Sequence, residues 1–461
     1  MRKGSFVDTN NSRRKILLVT LEPVSSTMAG PAIRCLELAK QLSSEFQVEL
    51  ASSVAVSAEK QLPGDYPCGD ATIKILTGLG RSALYSRAME NDILVIQSNV
   101  LKPFPRLAEL GKYLVVDLYD PYLFAVLVQY KDDPVAGSSS YRMMHAVLEK
   151  HMLSADFSMC ASEIQRDYWI GRYCALGRID NAMYEFDPSM RKLIDVVPFG
   201  LQEKPIERAG DGKAIRHGRY GIGDDEKIMI WGGGIWDWFD PLTVIRAVEK
   251  VKDRLPMLRL YFMGWKSPNP KVEVMGMAHR ARELAIETGL IDKFVFFEED
   301  WIPYEERVNY LLDADIAVSA HFDLPETRYS FRTRMLDYLW AGLPVLSTGG
   351  DPLSDEIERE GAGMAMPYED PDAWAEALVK LCNEGGLRKR LSDGALNLSE
   401  KYRWSRTSYA LVNYCREPYH LPGFQRPTMP NLAERVRAVY SRGGTDLIVK
   451  RSKEIVSDLF K

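Results

Sequence analysis

The sequence predicts an α/β protein made of two doubly wound domains that face a cleft. Short runs of β-branched and other apolar residues alternate with segments of helical period along most of the 461 residues. Many of these runs are apolar at consecutive positions, as parallel strands buried on both faces must be. The alternation is interrupted between Val197 and Lys227 by a stretch rich in glycine, proline and charge, and then restarts. Two parallel sheets with helices on both faces follow from that pattern.

The first domain is predicted near residues 14–200, the second near 225–405, and a C-terminal helical extension at 406–461. The extension contains one helix, a proline-broken stretch and a final helical tail. The tail is expected to pack against the body of the protein, while its seven basic against four acidic residues over 431–461 leave membrane-surface contact as the alternative. The strand candidates are KILLVT, QVELAS, TIKIL, DILVIQS, YLVVDLY, ADFSMCAS and LIDVVPFG in the first domain, and KIMIWGGG, LRLYFMGW, FVFFEED, DIAVSAH, LPVLST and AGMAMP in the second. The apolar side of the tail would be formed by Leu447, Ile448, Val449, Ile455, Val456, Leu459 and Phe460.

Composition excludes several classes of protein. The 59 basic and 64 acidic residues give a net charge of −5, so there is no positive excess of the kind that marks a nucleic-acid binder. The six cysteines have no C-x-x-C spacing and are expected to be reduced thiols of a cytoplasmic protein, not zinc ligands or disulfides. The basic N-terminus precedes only ILLVTL, which is too short for a signal-peptide core or a membrane span.

The first candidate site is the turn after the first predicted strand. Gly30 would let a ligand approach the backbone, and Pro31 suits the first position of a helix. The turn is not a G-x-G-x-x-G, so the sequence gives little support to nicotinamide binding. A ligand role and a purely structural turn are both compatible with these residues.

The second candidate site is the glycine run Gly232, Gly233 and Gly234 at the end of a buried strand. Asp240 is then predicted to cap a helix that begins at Pro241. Free backbone N–H groups and a helix N-terminus attract phosphate, and glycines let it lie on the backbone. A tight turn would explain one glycine better than three in a row, so ligand contact is the favoured interpretation.

The third candidate site is an arginine cluster, Arg328, Arg332 and Arg334, at the predicted N-terminus of a helix near 331–341. Cations at that end oppose the helix dipole unless an anion lies between them, and guanidinium groups bind phosphate oxygens in pairs. Asp337 follows one turn later and could accept hydrogen bonds from ribose hydroxyls. The alternative is an Arg334–Asp337 surface pair worth about 0–1 kcal/mol.

Three further polar features of the sequence each allow a functional and a structural interpretation. Asp117, Tyr119 and Asp120 follow the C-terminal end of a predicted parallel strand, where ligands of open sheets bind. Asp117 is predicted to orient a sugar or acceptor hydroxyl, with a loop-capping acid as the alternative. His321 is expected either to face the cleft or to be solvated in a loop. The D-x-D at 313–315 straddles a helix end and a strand start, so it is interpreted as structural.

Four stretches together carry a family resemblance over most of 227–382: WGGGIWDWFDPLTVIRAVEKV, LRLYFMGW, FVFFEEDWIPYEERVNYLLDADIAVSAH and RTRMLDYLWAGLPVLSTGGDPLSDEIEREGAGMAMPYEDPDAWAEALVKL. Their order resembles the retaining glycosyltransferases of the GT-B fold, in particular glycosyltransferase family four, the glycosyl transferases group 1 type. The N-terminal half matches loosely, through MAGPAIRCLELAKQL and the ASE at 161–163.

The resemblance implies two Rossmann-like domains, with a nucleoside diphosphate sugar in the second and the acceptor in the first. It implies that Asp337 binds the donor ribose, that the backbone at Ser330 and Phe331 faces the diphosphate, and that the base lies near 300–302. Such enzymes need no bound metal, because cations and helix ends stabilise the leaving diphosphate. We therefore assign Asp117, Glu326 and Arg334 to catalysis, assign no metal site and no cofactor, and assign donor binding to Gly30, Gly233, Gly234, Arg328, Ser330, Phe331, Arg332 and Asp337.

The chain departs from the family pattern twice. The usual pair of acids spaced by seven requires an acid where Tyr329 stands; Glu326 lies three residues earlier and either substitutes or does not. The Arg and Lys that normally follow the glycine turn are replaced by Ile-Trp-Asp-Trp-Phe-Asp. Neutralisation of the phosphates would then depend on the three arginines.

The leading hypothesis is retaining transfer of a hexose from a nucleotide sugar to a glycan or lipid-linked acceptor, in cell-envelope polysaccharide synthesis. The enzyme would be cytoplasmic, with peripheral contact at the inner membrane surface as an alternative, and would bind no nucleic acid. A sugar-nucleotide epimerase of the same fold needs an acid/base pair in the cleft, and the sequence shows no convincing one. A catalytically silent sugar-nucleotide-binding partner is the third hypothesis, because of the two departures.

Overall fold

A computed structural model describes residues 13–210, 212, 214–265 and 273–424, together with isolated positions between 433 and 450. This part of the chain forms two α/β domains, each built around one sheet. Six of the seven residues predicted to form the apolar side of the tail, all but Val449, lie outside the described residues. No helix in the described part is long and apolar enough to cross a membrane.

The first domain contains an eight-stranded sheet in the order β3-β4-β2-β1-β5-β6-β7-β8. All neighbouring strands are parallel except β3 and β4, which form an antiparallel hairpin. Its strands are β1 (Lys15–Thr20), β2 (Gln47–Ser52), β3 (Asp65–Cys68), β4 (Ala71–Leu76), β5 (Ile93–Gln97), β6 (Tyr113–Asp117), β7 (Phe157–Cys160) and β8 (Ile194–Val196). Its helices are α1 (Gly30–Ser43), α2 (Arg81–Glu90), α3 (Tyr122–Gln129), α4 (Pro134–Ser154), α5 (Glu163–Ala175) and α6 (Asn181–Phe186).

The second domain contains a fully parallel six-stranded sheet in the order β11-β10-β9-β12-β13-β14. Its strands are β9 (Lys227–Trp231), β10 (Leu258–Phe262), β11 (Val295–Phe297), β12 (Ile316–Ser319), β13 (Val345–Thr348) and β14 (Gly363–Met366). Its helices are α7 (Pro241–Val251), α8 (Gly276–Glu287), α9 (Arg307–Asp313), α10 (Pro325–Tyr329), α11 (Arg334–Trp340), α12 (Pro352–Arg359), α13 (Pro371–Asn383) and α14 (Gly385–Ser399).

In both sheets the chain reverses its direction of winding at a central strand. β1 pairs with β2 on one side and with β5 on the other, and β9 pairs with β10 and β12 in the same way. Ligands of open α/β sheets bind at the carboxyl ends of the strands where this reversal occurs. The Gly30 turn follows β1 and the triple-glycine turn follows β9, so both predicted turns lie at the reversal points.

The chain crosses between the domains twice, and the two crossings are joined. Leu201 N–H donates to the Tyr402 carbonyl at 2.6 Å, and Trp404 N–H donates to the Leu201 carbonyl at 2.9 Å. After α15 (Trp404–Thr407), helix α16 (Tyr409–Arg416) packs back onto the first domain, where the Tyr414 ring stacks on Phe157 at 4.9 Å. The domain limits given by the sequence stay predictions; both sheets lie inside them.

Candidate functional site

A cavity of about 720 Å³ lies between the two domains at the carboxyl ends of both sheets. The first domain contributes its loops after β1, β5 and β6, and the second domain contributes the glycine turn, the loop after β11 and the start of α11. Most of the predicted site residues line this cleft: Gly30, Gly233, Gly234, Glu326, Ser330, Phe331, Arg332, Arg334 and Asp337.

A hydrogen bond to a buried tyrosine holds the backbone of the glycine turn. Gly232 N–H donates to the Tyr338 hydroxyl at 2.6 Å, and that hydroxyl donates to the Val318 carbonyl at 3.0 Å. A side chain on Gly232 would place its Cβ 3.0 Å from the Tyr338 ring, and Gly233 has a φ of 76°, which favours glycine. The backbone of the turn therefore lies open to the cleft, as close approach of a ligand requires.

Arg334 is a half-buried cation without an acidic partner among the described residues. Its Nη2 donates to the Gly234 carbonyl at 2.7 Å, and its guanidinium lies 4.1 Å from the centroid of the Phe239 ring. Within the described residues no carboxylate pairs with it, and its Nη1 is buried without a hydrogen-bond partner. Burial, with a smaller contribution from the charge of Arg332, lowers the pKa of Arg334 to about 10. An anion in the cleft would relieve that unfavourable desolvation.

Arg332 differs from Arg334 because its charge is already balanced. Its Nη1 and Nη2 donate to the two oxygens of Glu326 at 3.0 and 2.7 Å, and the Ser330 hydroxyl donates to the same carboxylate at 2.5 Å. All three residues are buried in the cleft wall. Glu326 therefore places an acid in the cleft, although it lies three residues before the position expected from the family pattern.

Tyr329 occupies that expected position and faces the first domain. Its ring stacks on Phe124 at 5.7 Å and packs against Tyr168 at 4.8 Å. The Tyr329 carbonyl accepts from Gln165 Nε2 at 2.9 Å, and Gln165 is fully buried. The residue that replaces the acid thus connects the two domains beside the cleft.

Asp337 pairs with Arg307, not with Arg334. Arg307 Nε and Nη2 lie 3.2 and 3.4 Å from the Asp337 oxygens, so the alternative of an Arg334–Asp337 surface pair is wrong. Arg307 is itself held by the Tyr304 carbonyl at 2.6 Å, and neighbouring negative charge on Asp337 raises its pKa against the effect of burial. The Asp337 side chain keeps 30% of its surface exposed and lines the cleft, so it retains capacity to accept hydrogen bonds.

The structure corrects the prediction for Asp117. Both of its oxygens accept from Arg34, at 2.6 and 3.0 Å; the pair is buried, and Asp117 does not line the cavity. Asp120, three residues later, does line it. Burial, followed by the negative charge of Glu326, raises the pKa of Asp120 to about 7. Asp120 is a carboxyl group of the first domain that lines the cleft and interacts with the charge of Glu326.

Arg328 and His321 also differ from the predictions. Arg328 lies in the last turn of the short helix α10, is exposed, and does not line the cavity, so two of the three predicted arginines, Arg332 and Arg334, line the cleft. His321 is fully buried and neither faces the cleft nor is solvated: its ring contacts Thr348 Oγ1 at 3.0 Å and Asp351 at 3.3 Å. Burial, reinforced by the charges of Arg332 and Arg334, lowers the pKa of His321 well below its usual value.

The D-x-D is structural, as the sequence indicated. Asp313 accepts from Arg208 at 2.7 Å and from the Ile215 and Arg216 backbone N–H groups, and Asp315 accepts from Arg216 and Lys227 at 2.9 Å each. These contacts fix the interdomain connection to the second domain. No group of three or more His, Cys, Asp or Glu residues in the described part of the chain is arranged to hold a metal ion.

Sequence reasoning missed an aromatic wall on the second domain. Trp236 and Trp238 line the cleft and stack in parallel, with centroids 5.4 Å apart and 1° between their planes. Trp301 also lines it and donates from Nε1 to the Met28 carbonyl of the first domain at 3.2 Å. Of the segment expected near the base, Trp301 and Ile302 line the cleft, and residue 300 is exposed outside it.

Comparisons with known proteins agree with this architecture. Sucrose-phosphate synthase from Thermosynechococcus elongatus superposes with a TM-score of 0.62, at 15% identity, over 88% of this chain and 99% of that chain. Anabaena HepE, in a structure with UDP and glucose, superposes with a TM-score of 0.60, at 11% identity, over 88% of this chain and all of that chain. The fold is GT-B.

Residues 226–384 of this GT-B chain match the family described as Glycosyl transferases group 1. This interval contains the glycine turn, Glu326, Arg334 and Asp337. The D-inositol 3-phosphate glycosyltransferase of Saccharomonospora viridis is 26% identical over 215 residues, which are 46% of this chain and 48% of that protein. The chain spans about half the length of the curated relatives it matches. Gly30 and Asp120 lie outside the family match, on the first domain of the GT-B fold.

Proposed function

We propose that the protein is a retaining, metal-independent glycosyltransferase that moves a hexose from a nucleoside diphosphate sugar to a glycan or lipid-linked acceptor. The observation that carries this proposal is Arg334, a desolvated cation without an acidic partner in the described residues, placed against an open glycine turn. The family match over 226–384 supports it. A role in cell-envelope polysaccharide synthesis at a cytoplasmic site belongs to the same proposal.

The donor would lie along the second domain. The diphosphate would contact Arg334 and the backbone at Gly233 and Gly234, and the ribose hydroxyls would donate to Asp337. The base would lie near Trp301, whose indole lines the adjacent part of the cleft. HepE has been solved in complex with UDP and glucose and with UDP-glucose, so UDP is the first nucleotide to test here.

The chemical step breaks the bond between the sugar's anomeric carbon and the diphosphate oxygen and forms a bond from that carbon to the acceptor hydroxyl oxygen. The sugar passes through an oxocarbenium-like state while negative charge grows on the departing diphosphate. Arg334 and the N–H groups of the turn would stabilise that charge without reorganising, because packing already fixes them. The acceptor proton would leave with the diphosphate.

Two carboxyl groups flank the place where the sugar would lie. Glu326 accepts from both Nη atoms of Arg332 and would stabilise positive charge on the sugar. Asp120 lies on the first domain, and its pKa near 7 lets it either donate to or accept from a hydroxyl at neutral pH. Asp120 thus takes the orienting role that the sequence assigned to Asp117.

The pair of carboxyls also favours a second candidate function. A sugar-nucleotide epimerase needs an acid/base pair in the cleft, and Asp120 and Glu326 both line it. Such an enzyme would convert a UDP-sugar into its epimer without any acceptor. A silent binding partner would bind the nucleotide without turnover, which the replacement of the family acid by Tyr329 would explain.

A thermal-shift panel of UDP, GDP, ADP and dTDP followed by turnover assays tests the proposal. At 100 times its dissociation constant a ligand adds about 2.7 kcal/mol to the free energy of unfolding, so one diphosphate should raise the Tm measurably. The corresponding sugar nucleotides are then incubated with and without acceptors, while release of nucleoside diphosphate and epimer formation are followed. Absence of a shift with all four nucleotides would refute the proposal, and a shift without any turnover would support the silent partner.

A further inference from the structure

Two tryptophans, Trp236 and Trp238, follow the glycine turn closely and line the cleft. The two rings are parallel, and both side chains are half-buried. They pack against the core of the second domain and leave part of their aromatic surface open to the cleft.

The loop that carries the pair is fixed before any ligand binds. Between the two indoles, the Asp237 carboxylate accepts from the Met277 N–H at 2.8 Å, in the first turn of α8. Phe239 N–H donates to the Trp236 carbonyl at 3.0 Å, and the Asp240 carboxylate accepts from the Thr243 N–H at 3.1 Å in α7. Because loop and helices hold each other, the indoles are presented in one arrangement, which reduces the entropy lost on binding.

The cleft that the Trp236–Trp238 pair lines also contains polar side chains. Asn99 and Gln129 of the first domain and Glu273 of the second line the same cavity. Asn99 Oδ1 is buried and has no hydrogen-bond partner among the described residues. A site that combines indoles with amide and carboxylate groups suits a flat ring with an apolar face and a hydroxylated edge. An alkyl chain would leave those polar groups unsatisfied.

We propose that the acceptor is a glycan and that one of its pyranose rings stacks on the Trp236–Trp238 pair while its hydroxyls contact the polar wall. The proposal rests on the proposed function and names the substrate class of the acceptor half of that site. The C–H groups on one face of a pyranose supply the apolar contact, and the ring hydroxyls supply the donors that Asn99 Oδ1 requires.

The experiment uses the full chain, saturated with whichever nucleoside diphosphate gives the largest thermal shift. Methyl glucoside, methyl mannoside, methyl galactoside and maltotriose are titrated in saturation-transfer NMR, with sorbitol and mannitol as acyclic controls. The variants are Trp238→Leu, which keeps apolar volume but removes the flat face, and Trp238→Phe, which restores a ring. Tyr184→Ala removes a 61% exposed aromatic ring away from the cleft and serves as the matched control.

At least one pyranoside should bind, with transfer strongest to its ring C–H protons. The dissociation constant should rise about tenfold in Trp238→Leu, stay within about threefold in Trp238→Phe, and be unchanged in Tyr184→Ala. Failure of every pyranoside to bind, equal binding by the hexitols, or an unchanged dissociation constant in Trp238→Leu would overturn the proposal. Saturation transfer to dodecyl phosphate, titrated in the same way, without any pyranoside binding would replace the proposal with a lipid site. Loss of the nucleotide shift alone, with pyranosides still bound, would refute the proposed function instead.

Discussion

Replacing Arg334 by methionine separates ligand binding from folding in this cleft. The side chain makes one hydrogen bond, to the Gly234 carbonyl, and otherwise rests on the rings of Phe239 and Trp231. Methionine keeps most of the apolar stem and its contact with those rings, and it removes the charge. The substitution therefore removes an interaction that matters mainly when an anion is present.

The loss in binding follows from the number and kind of contacts. A hydrogen bond to a charged group contributes about 1.5–3 kcal/mol, so the affinity for the nucleoside diphosphate should fall roughly 10- to 150-fold. The rate of transfer should fall further, by about 2.7–4 kcal/mol in the barrier, because the charge on the diphosphate grows in the transition state.

The unliganded protein should lose little stability. Removing a desolvated cation relieves a cost, and this offsets the lost contact with Gly234, so we expect a Tm within about 3 °C of wild type. Arg332→Met is the matched control. It leaves Glu326 buried without its cation, which costs about 3–5 kcal/mol and lowers the Tm by roughly 6–20 °C.

Differential scanning calorimetry is run on each variant with and without UDP, or with whichever nucleotide binds. It measures the Tm of the free protein and the shift of that Tm by the ligand on the same samples. Arg334→Met should melt near wild type and show a much reduced ligand shift, and Arg332→Met should melt early. Two results would refute the reasoning: a full ligand shift in Arg334→Met, or a loss of stability as large as that of Arg332→Met. The first would mean that no anion binds at Arg334, and the second that Arg334 is a structural cation.

Other substitutions test the remaining assignments. Asp337→Asn should weaken nucleoside diphosphate binding about tenfold without changing the affinity for inorganic pyrophosphate, as measured by calorimetric titration. Asp117→Ala should lower the free energy of unfolding by about 3–5 kcal/mol, because it leaves Arg34 buried without a carboxylate; a denaturation curve like that of wild type would contradict the structural role. Asp120→Asn should flatten the pH dependence of stability. The pKa of Asp120 is raised to about 7, so its contribution to the free energy of unfolding is present below pH 4 and is lost as the pH rises to 7. Equal slopes of stability against pH for wild type and Asp120→Asn would disprove that shift. Asp351, with a pKa raised to about 6, contributes in the same direction to both proteins and cancels in the comparison.

The sheets could be predicted because the apolar pattern of a parallel strand lies within one short segment of the sequence. Many of the predicted runs are apolar at successive positions, and each run appears as a strand with buried residues in the two sheets. The strand that was not predicted is β3, whose sequence DYPC contains proline and has no β-branched residue. It is held as an edge strand by a tight turn at Gly69, which has a φ of 58°, and by pairing with β4.

The site could be predicted only where its residues are close in sequence. The glycine turn, Arg334 and Asp337 follow from local patterns, and all of them line the cleft. Asp117 could not be distinguished from Asp120, because the partner that removes Asp117 from the cleft is Arg34, 83 residues earlier. The exposure of Arg328 could not be predicted, because it depends on the short helix α10. Arg328 is exposed in the last turn of that helix, whereas Arg332, beyond the end of the helix, is buried.

The two departures from the family pattern change the balance of charge in the cleft. Tyr329 lies at the interdomain contact, and Glu326 lines the cleft and neutralises Arg332. With indoles after the glycine turn, Arg334 is left as the cation without an acidic partner among the described residues that line the cleft. A nucleoside diphosphate would therefore add more negative charge than Arg334 balances, and its charge would favour protonation of Asp120. Because such linkage is reciprocal, protonation of Asp120 should strengthen diphosphate binding, which ties the first domain's carboxyl to occupation of the second domain's donor site.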